Sequence, residues 1–280
     1  MQVIYNQLPL MVSQGSQRNL GPTELEVRTT YVPILRYDGM QLGRTKKILG
    51  YGGVGIVEKV GALRSENWLN KRVLFMNPLG TWQTVNYPMI PPYNFEIPEN
   101  VSDQSAAAII GGADIALVLA QKIQRQHARQ VIILGANSVV GLSLMQILRT
   151  TSNVKIVEKV RPQSQAFFNN FCEQINFKPD TEVFEEKTVV IDLAKAGYLA
   201  EINAYQTLGY KVWSIARNDI MGVQFISEPL LPHGYQKLLE MLAEKTLVMP
   251  LAAEYDYRQV NLEVLQNSGG ARGRKLLKFN

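Results

Sequence analysis

Apolar residues follow two different patterns along the chain, and the two patterns divide it into two kinds of region. Residues 24–32 alternate between polar and apolar side chains, which is typical of a half-exposed strand. Residues 131–134 are four consecutive apolar residues, which is typical of a strand buried on both faces of a parallel sheet. We therefore expect a mostly-β region over about the first hundred residues and an α/β region after it.

The first region is dense in glycine and proline. Strands are predicted at residues 3–5, 24–32, 56–60 and 71–75, and residues 80–85 are predicted to form a turn followed by a strand. Pro33 is expected to close the second of these, and residues 34–43 to form one short helical turn. Prolines at positions 88, 91, 92 and 98 indicate irregular backbone, so a domain boundary is expected near them.

In the second region, strands alternate with helices. Ser102 is a candidate N-cap, and an alanine-rich helix follows it. Strands are predicted at 131–134, 154–160, 182–184, 188–193, 210–215 and 223–226, with helices at 163–175, 197–207 and 231–243. This order predicts a parallel sheet with right-handed crossovers. From about Thr246 the chain is expected to be irregular until a last strand at 275–279.

The segment after residues 131–134 consists of small residues, GANSVVG, and leads into an apolar helix. Such a turn lets the backbone approach a pyrophosphate, which then lies at the helix N-terminus. Only the outer glycines of the usual pattern are kept, so a buried strand–helix corner without a ligand remains an alternative. The candidate cofactor-binding residues are Gly135, Asn137, Ser138, Val139, Val140 and Gly141.

Charge and composition argue against several classes of partner. The formal net charge is 29 − 24 = +5, and the basic residues are mostly scattered, whereas a nucleic-acid-binding protein is expected to gather them on one face. A mildly basic protein also suits a 2′-phosphorylated cofactor. No apolar run is long enough to span a bilayer, and the N-terminus lacks signal-peptide features, so we expect a cytoplasmic protein.

Few side chains are available for metal or thiol chemistry. Cys172 is the only cysteine, and it lies on an apolar helix face, so we expect a buried structural thiol. His127 and His233 are the only histidines and are far apart in sequence, where we expect surface loops. A catalytic zinc site typically needs three protein ligands, so a metal site is not expected.

Several further segments match one family pattern, in the family's order. The chain resembles the zinc-independent branch of the medium-chain dehydrogenase/reductase superfamily, which includes quinone oxidoreductases and 2-enoyl thioester reductases. The matching segments are GPTELEVR (21–28), LRYD (35–38), LGYGGVGIVEKVG (49–61), GTWQ (80–83), IPENVSD (97–103) and GRKLL (273–277). Within the family, Asn137-Ser138 followed by Val140-Gly141 is most similar to the turn of the 2-enoyl thioester reductases.

The resemblance implies an α/β fold with a Rossmann doubly wound parallel sheet and a GroES-like mostly-β domain. The GroES-like catalytic domain would comprise residues 1–98 with 247–280, and the Rossmann nucleotide-binding domain residues 99–246. It further implies NADPH as cofactor, with Arg161 at the 2′-phosphate, since a guanidinium suits a phosphate. Arg274, in the matching C-terminal segment, is a further candidate cofactor-binding residue. Relatives often dimerise through the last Rossmann strand, so a homodimer through residues 223–226 is expected.

The departures from the family pattern bear on the reaction. The family's nicotinamide-side asparagine is Leu35 here, a helix threonine is Ile115, and the loop carrying a proton-donating tyrosine is absent, with only residues 44–47 between Gly43 and Ile48. Tyr37 and Tyr51 are candidate replacement donors, although packed or surface tyrosines are the alternative.

Three functions therefore stay open. The first is an NADPH-dependent oxidoreductase that reduces a quinone or an activated double bond (an enone or enoyl thioester) by hydride transfer. The second is a degenerate member that binds nucleotide without turnover, as a sensor or in a pathway complex. The third is an interaction protein that keeps no ligand, for which Ser138 in place of a glycine and Ala216 after the fifth strand are the motivation.

Overall fold

A computed structural model describes residues 1–43, 48–194, 196–266 and 272–279. The strands are β1 (Gln2–Ile4), β2 (Val12–Gln14), β3 (Leu25–Ile34), β4 (Gly52–Val60), β5 (Arg72–Met76), β6 (Val85–Asn86), β7 (Asn94–Glu96), β8 (Gln130–Leu134), β9 (Lys155–Lys159), β10 (Thr188–Asp192), β11 (Lys211–Ser214), β12 (Val223–Phe225), β13 (Leu251–Asp256) and β14 (Arg274–Lys278). The helices are α1 (Arg36–Gln41), α2 (Asp103–Ala108), α3 (Ala113–Arg125), α4 (Val139–Thr151), α5 (Pro162–Gln174), α6 (Leu199–Thr207), α7 (Pro232–Ala243) and α8 (Leu262–Gln266).

The chain divides into two units by its internal contacts. Unit 1 comprises Met1–Gly111, Pro232–Lys245 and Leu251–Asn280, and unit 2 comprises Gly112–Leu231 and Thr246–Pro250. These bounds differ from the 98/99 and 246/247 boundaries expected from the sequence. Helix α2 contacts β3, β4 and β14, and α7 contacts α2, so both helices group with the β-rich unit.

Unit 1 is built on a mostly antiparallel sheet with the order β13-β14-β3-β4-β5-β7, in which β6 pairs with β3. Residues from both ends of the chain share its core: Ile4 and Trp82 pack in one cluster with Leu277 and Phe279. The rings of Tyr257 and Phe279 stack at a centroid distance of 4.6 Å. The C-terminal segment therefore belongs to the same hydrophobic core as the N-terminal strands.

Two expectations for unit 1 are corrected. Pro33 does not end its strand, because β3 continues to Ile34. Beyond Tyr31 only β14 pairs with β3, so proline, which lacks an N–H, is tolerated at this end of the strand. The segment after Thr246 is not irregular throughout, because Leu251–Asp256 form β13, which runs parallel to β14.

Unit 2 contains a five-stranded parallel sheet with the order β12-β11-β10-β8-β9. All five residues of β8 and all five of β10 are buried, which explains their nearly unbroken apolar sequences. Alternate residues of these strands, including Ile132 and Val190, pack with Ile202 and Tyr205 of α6. The predicted parallel α/β architecture is confirmed.

One predicted strand of unit 2 is wrong. Residues 182–184 form no strand, and the ring of Phe184 is largely exposed. The Gln130 side chain instead binds the backbone of Val183, donating to its carbonyl at 2.9 Å and accepting from its N–H at 3.1 Å. A side-chain amide thus satisfies the backbone groups that a neighbouring strand would otherwise pair.

Candidate functional site

The turn between β8 and α4 has the backbone that its sequence predicts. Gly135 has φ +82°, a left-handed conformation that side-chain-bearing residues rarely adopt. Its N–H donates to the Lys159 carbonyl at 2.9 Å, and its own carbonyl accepts from the Ser138 N–H at 3.0 Å. The chain therefore reverses tightly at the end of β8 and enters α4 beside the end of β9.

Ser138 is the N-cap of α4. Its Oγ accepts a hydrogen bond from the Gly141 N–H at 3.1 Å. The serine that replaces a family glycine thus has a structural role at the start of the helix. The N–H groups of Val139 and Val140 have no carbonyl partner within α4, because no helical turn precedes them. These donors and the helix dipole are suited to an anion.

Gly141 brings α4 close to the turn. A Cβ at this position would lie 2.5 Å from the Ala136 carbonyl oxygen, so any side chain would force the helix away. Asn137 is half-buried, and its side chain makes no hydrogen bond with the rest of the described chain. The turn therefore keeps a close backbone approach and a polar side chain available for a ligand.

The turn lies at the topological switch point of the sheet. From β8 the chain crosses to β9 on one side and then to β10 on the other. Ligands of open α/β sheets bind at the carboxyl ends of the strands where this reversal occurs. The Leu193 N–H donates to the Leu134 carbonyl at 3.0 Å, so the ends of β8 and β10 meet there. The position and the backbone geometry both suit a dinucleotide pyrophosphate.

Arg161 lies just past β9, at the N-cap position of α5, and is exposed. Its side chain runs over Gly197, where an added Cβ would be 3.6 Å from the Arg161 Cδ. Within the described chain its guanidinium makes no hydrogen bond or ion pair. Next to Gly197, Tyr198 donates to the Lys159 carbonyl at 3.0 Å. Arg161 is thus a cation available to a ligand, located one strand from the turn.

Among the described residues, no carboxylate at the carboxyl end of β9 is available for a ribose hydroxyl. Glu158 is half-buried within the strand, and burial raises its pKa. Lys159 forms an ion pair with Glu182 at 2.6 Å, and Tyr205 also donates to Glu182. Cys172 is buried beside Glu158, and burial raises the pKa of its thiol to about 11, so the expected structural thiol is confirmed as buried and weakly acidic.

Sequence reasoning missed a buried polar cluster at the carboxyl ends of β10 and β11. Asp192 is completely buried, accepts from Ser214 Oγ at 2.8 Å, and lies 3.1 Å from Arg217 Nε. Arg217 Nη2 donates to the Ala194 carbonyl at 2.8 Å. An aspartate at the end of an apolar strand was the signal that could have found this cluster.

In unit 1, the candidate residues surround a buried carboxylate, Asp38. It accepts from the Leu35 N–H at 2.8 Å and the Gly50 N–H at 3.2 Å. Burial raises the pKa of Asp38 to about 6, against the effects of these N–H groups and of Arg274. Leu35 is buried, and a Cβ on Gly111 would lie 2.7 Å from its side chain. The Leu35 side chain therefore packs directly against the backbone of Gly111. The hydrogen bond from the Leu35 N–H to Asp38 fixes the start of α1.

The structure places the remaining candidates as follows. Tyr37 is 58% exposed on α1, and Tyr51 is half-buried just before β4, with its carbonyl accepting from the Asn77 N–H. Arg274 is buried in β14, and its guanidinium donates to the carbonyls of Gly111 (2.7 Å) and Ile34 (3.4 Å). These contacts give Arg274 a structural role within unit 1.

The histidines are both exposed, but His233 lies in α7 rather than in a loop. Over residues 1–43, 48–194, 196–266 and 272–279, no three residues of the His, Cys, Asp and Glu types are grouped as a metal site would require. In the same ranges, no helix is both long enough and apolar enough to cross a membrane.

Known structures share this fold over nearly the full chain. The CurF ER cyclopropanase of the curacin A biosynthetic pathway matches with a TM-score of 0.78 at 15% identity, covering 99% of both chains. A quinone oxidoreductase from Coxiella burnetii matches with a TM-score of 0.78 at 14% identity, covering 100% of this chain and 99% of that one. A cobalt- and zinc-bound thermostable alcohol dehydrogenase from Pyrobaculum aerophilum gives 0.78 at 14% identity, covering 99% of both chains.

No protein-family model and no curated protein sequence matches the chain. The three structures perform different reactions on one fold, so the comparison identifies the architecture and not the chemistry. The fold agrees with the sequence resemblance: unit 2 contains a parallel sheet, unit 1 contains a mostly antiparallel sheet, and the structural matches cover nearly the full chain. The chain has the fold of the medium-chain dehydrogenase/reductase superfamily.

Proposed function

We propose that this protein is an NADPH-dependent oxidoreductase that reduces a quinone or an activated double bond, such as an enone or an enoyl thioester. The observation that carries the proposal is the β8–α4 turn, with its left-handed Gly135, its close-packed Gly141 and its unpaired helix N–H groups at the switch point. The residues present fit a dinucleotide. Gly135, Asn137, Ser138, Val139, Val140 and Gly141 form the proposed pyrophosphate-binding turn.

The basic end of β9 supports NADPH over NADH. Arg161 is exposed and makes no ion pair within the described residues, so it is available to a 2′-phosphate. A protein selecting NADH would be expected to place a carboxylate here for the ribose hydroxyls. Glu158 lies within the strand, and Glu182 is bound by Lys159 and Tyr205, so neither meets that need.

When bound, the nicotinamide supplies a hydride, and the chain supplies binding and orientation. The turn holds the phosphates, and Arg161 holds the adenosine end. The proton is supplied by solvent or by Tyr37 or Tyr51, which are the hydroxyl donors that the sequence offers in place of the absent loop. The Coxiella quinone oxidoreductase shares the fold, which supports quinones as the first acceptors to test, and the sequence resemblance to 2-enoyl thioester reductases adds activated alkenes.

Two assays on purified protein test the proposal. Calorimetry should show saturable NADPH binding, and a panel of quinones, enones and enoyl thioesters should reveal loss of reduced-nicotinamide absorbance with at least one acceptor. Binding without turnover across the panel would overturn the reductase and favour the second function. Absence of binding to folded protein would overturn both.

The second function is nucleotide binding without turnover, in a sensor or a pathway complex. Unit 1 favours it, because Leu35 is buried against Gly111, Tyr37 is directed largely into solvent, and Arg274 is engaged with backbone carbonyls. Among the described residues of unit 1, Tyr37 and Tyr51 are then the remaining candidate proton donors. The same acceptor panel distinguishes the two functions, since only a reductase consumes NADPH.

We also propose that the protein forms a homodimer through β12. This strand lies at the edge of the unit 2 sheet, and its apolar residue Phe225 is 43% exposed. An edge strand presents unpaired N–H and C=O groups that a second copy can pair.

A further inference from the structure

The carboxyl ends of β10 and β11 are joined by a hydrogen-bonded network that the proposed pyrophosphate turn does not use. Asp192 ends β10, and Ser214 ends β11. Ser214 Oγ donates to Asp192 Oδ2 and accepts from the N–H groups of Ala216 (3.0 Å) and Arg217 (3.1 Å). This arrangement fixes the backbone after β11 and directs Arg217 back toward β10.

Arg217 bridges the two strand ends. Its Nε lies 3.1 Å from Asp192 Oδ2, and its Nη2 donates to the Ala194 carbonyl at 2.8 Å. The Ala194 N–H donates to Asp192 Oδ1 at 3.1 Å, so the peptide groups on both sides of Ala194 are held. The Arg217 side chain is only 10% exposed, which reduces solvent screening of this ion pair.

Ala194 connects this network to the proposed cofactor turn. A Cβ placed on Gly135 would lie 3.2 Å from the Ala194 Cβ, so Ala194 forms the wall beside the turn. The Ala194 carbonyl has its position fixed by Arg217 rather than by a neighbouring strand, because β10 ends at Asp192.

We infer that Arg217 is a positioning residue for the nicotinamide half of the bound dinucleotide. The inference rests on the proposed function and extends it to a part of the site that the turn does not reach. A dinucleotide-binding sheet consists of two halves, each holding one mononucleotide, with the adenosine ribose read at the end of the second strand. Here β8 and β9 form the adenosine half, and β10, β11 and β12 form the other half. Arg217 therefore acts on the half that carries the reactive ring.

A role in stability alone would give a different result from a positioning role. Loss of stability lowers the binding of every nucleotide in proportion to the folded fraction. Loss of positioning weakens NADPH but leaves adenosine 2′,5′-bisphosphate unaffected, because this analogue has no nicotinamide half. The comparison of the two ligands separates the roles without any assay of activity.

The experiment measures the dissociation constants of both ligands by calorimetry on wild type, Arg217→Met and Arg217→Lys. The double variant Asp192→Asn/Arg217→Met removes both charges of the ion pair, so no unpaired charge stays buried. It replaces the single variant if Arg217→Met fails to fold. Arg125→Met, an exposed arginine on α3, is the matched control. In the Arg217→Met variants we expect the dissociation constant of NADPH to rise about tenfold, and in Arg217→Lys to rise less. The dissociation constant of the bisphosphate should change by less than about twofold in each variant.

Two outcomes would overturn the inference while leaving the proposed function intact. One is unchanged NADPH affinity in folded Arg217 variants, and the other is an equal loss for both ligands. If wild type binds neither ligand, the proposed function itself fails, and this result is distinguishable because it needs no variant.

Discussion

Gly141 packs directly against Ala136, with space for no side chain: a Cβ on Gly141 would lie 2.5 Å from the Ala136 carbonyl oxygen. This contact fixes how closely the first turn of α4 approaches the end of β8. The geometry of the proposed phosphate turn therefore depends on a glycine, which can be tested by adding one methyl group.

Gly141→Ala is expected to lower both stability and cofactor affinity. Forcing the methyl against backbone should cost about 1–3 kcal/mol of unfolding free energy, and the displaced turn should bind NADPH at least about tenfold more weakly. Denaturant unfolding and calorimetry measure the two effects. Gly39→Ala in α1 is the control, since its Cβ would have no neighbour closer than 3.9 Å. Wild-type behaviour of Gly141→Ala would contradict the close packing.

Arg161→Gln is expected to reduce the preference for NADPH over NADH. Removing a charge-assisted contact with a phosphate should weaken NADPH by about 10- to 100-fold, because such contacts contribute roughly 1.5–3 kcal/mol. NADH affinity should stay unchanged. Calorimetry with both cofactors measures this, and Arg125→Gln serves as the exposed-arginine control. Equal losses for both cofactors would show that Arg161 does not contact a 2′-phosphate.

Asp38 should make stability fall as the pH rises from about 4 to about 6. Burial raises its pKa from 3.8 to about 6, so in this interval the folded state holds a proton that the unfolded state has lost. The stabilisation that the folded state gains by holding this proton is therefore fully present below about pH 4 and lost above about pH 6. A difference of two pKa units corresponds to roughly 3 kcal/mol of unfolding free energy.

Denaturant unfolding across this interval, in wild type and Asp38→Asn, checks the prediction. The difference in unfolding free energy between the two proteins should change with pH, even though the amide cannot accept from both the Leu35 and Gly50 N–H groups and costs some stability at every pH. Glu201→Gln removes an exposed carboxylate of α6 and is the control. A pH-independent difference for Asp38→Asn would refute the assignment.

Phenylalanine variants of Tyr37 and Tyr51 test the source of the proton. For quinone acceptors we expect turnover within about threefold of wild type in both, because solvent can protonate the reduced product, whereas loss of a general acid costs about 10²–10⁴-fold. Steady-state kinetics with NADPH decide between these outcomes. A large loss of kcat with unchanged NADPH affinity would identify that tyrosine as the donor.

Phe225→Lys should convert a dimer into a monomer. Placing a charge on the exposed edge of β12 disfavours pairing between two copies of the strand. Sedimentation velocity of wild type and variant measures the change. Leu63→Lys, at another exposed apolar position, is the control. A monomeric wild type would refute the proposed dimer.

Local sequence signals predicted much of unit 2. The apolar sequence of β8 indicated a strand buried on both faces. In unit 1, Ser102 was likewise correctly identified as an N-cap, since its Oγ accepts from the Ser105 N–H. These features depend on neighbours along the chain. The fold of the medium-chain superfamily was likewise accessible, because its motifs occur in order along the sequence.

Features that depend on distant residues were not predictable in this way. The 182–184 segment has strand-forming residues, but the Gln130 amide binds it instead of a strand. Asp192 is recognisable at the end of an apolar strand, but its pairing with Arg217, 25 positions later, has no spacing that the sequence reveals. The shifted pKa of Asp38 arises from burial by the surrounding elements, which the sequence alone does not give.

Calorimetric titration with NADPH decides whether the β8–α4 turn binds a dinucleotide. We predict saturable binding at one site per chain, tighter than NADH and weakened in Gly141→Ala. If folded wild-type protein binds neither cofactor, the turn does not hold a dinucleotide and the proposed function is wrong.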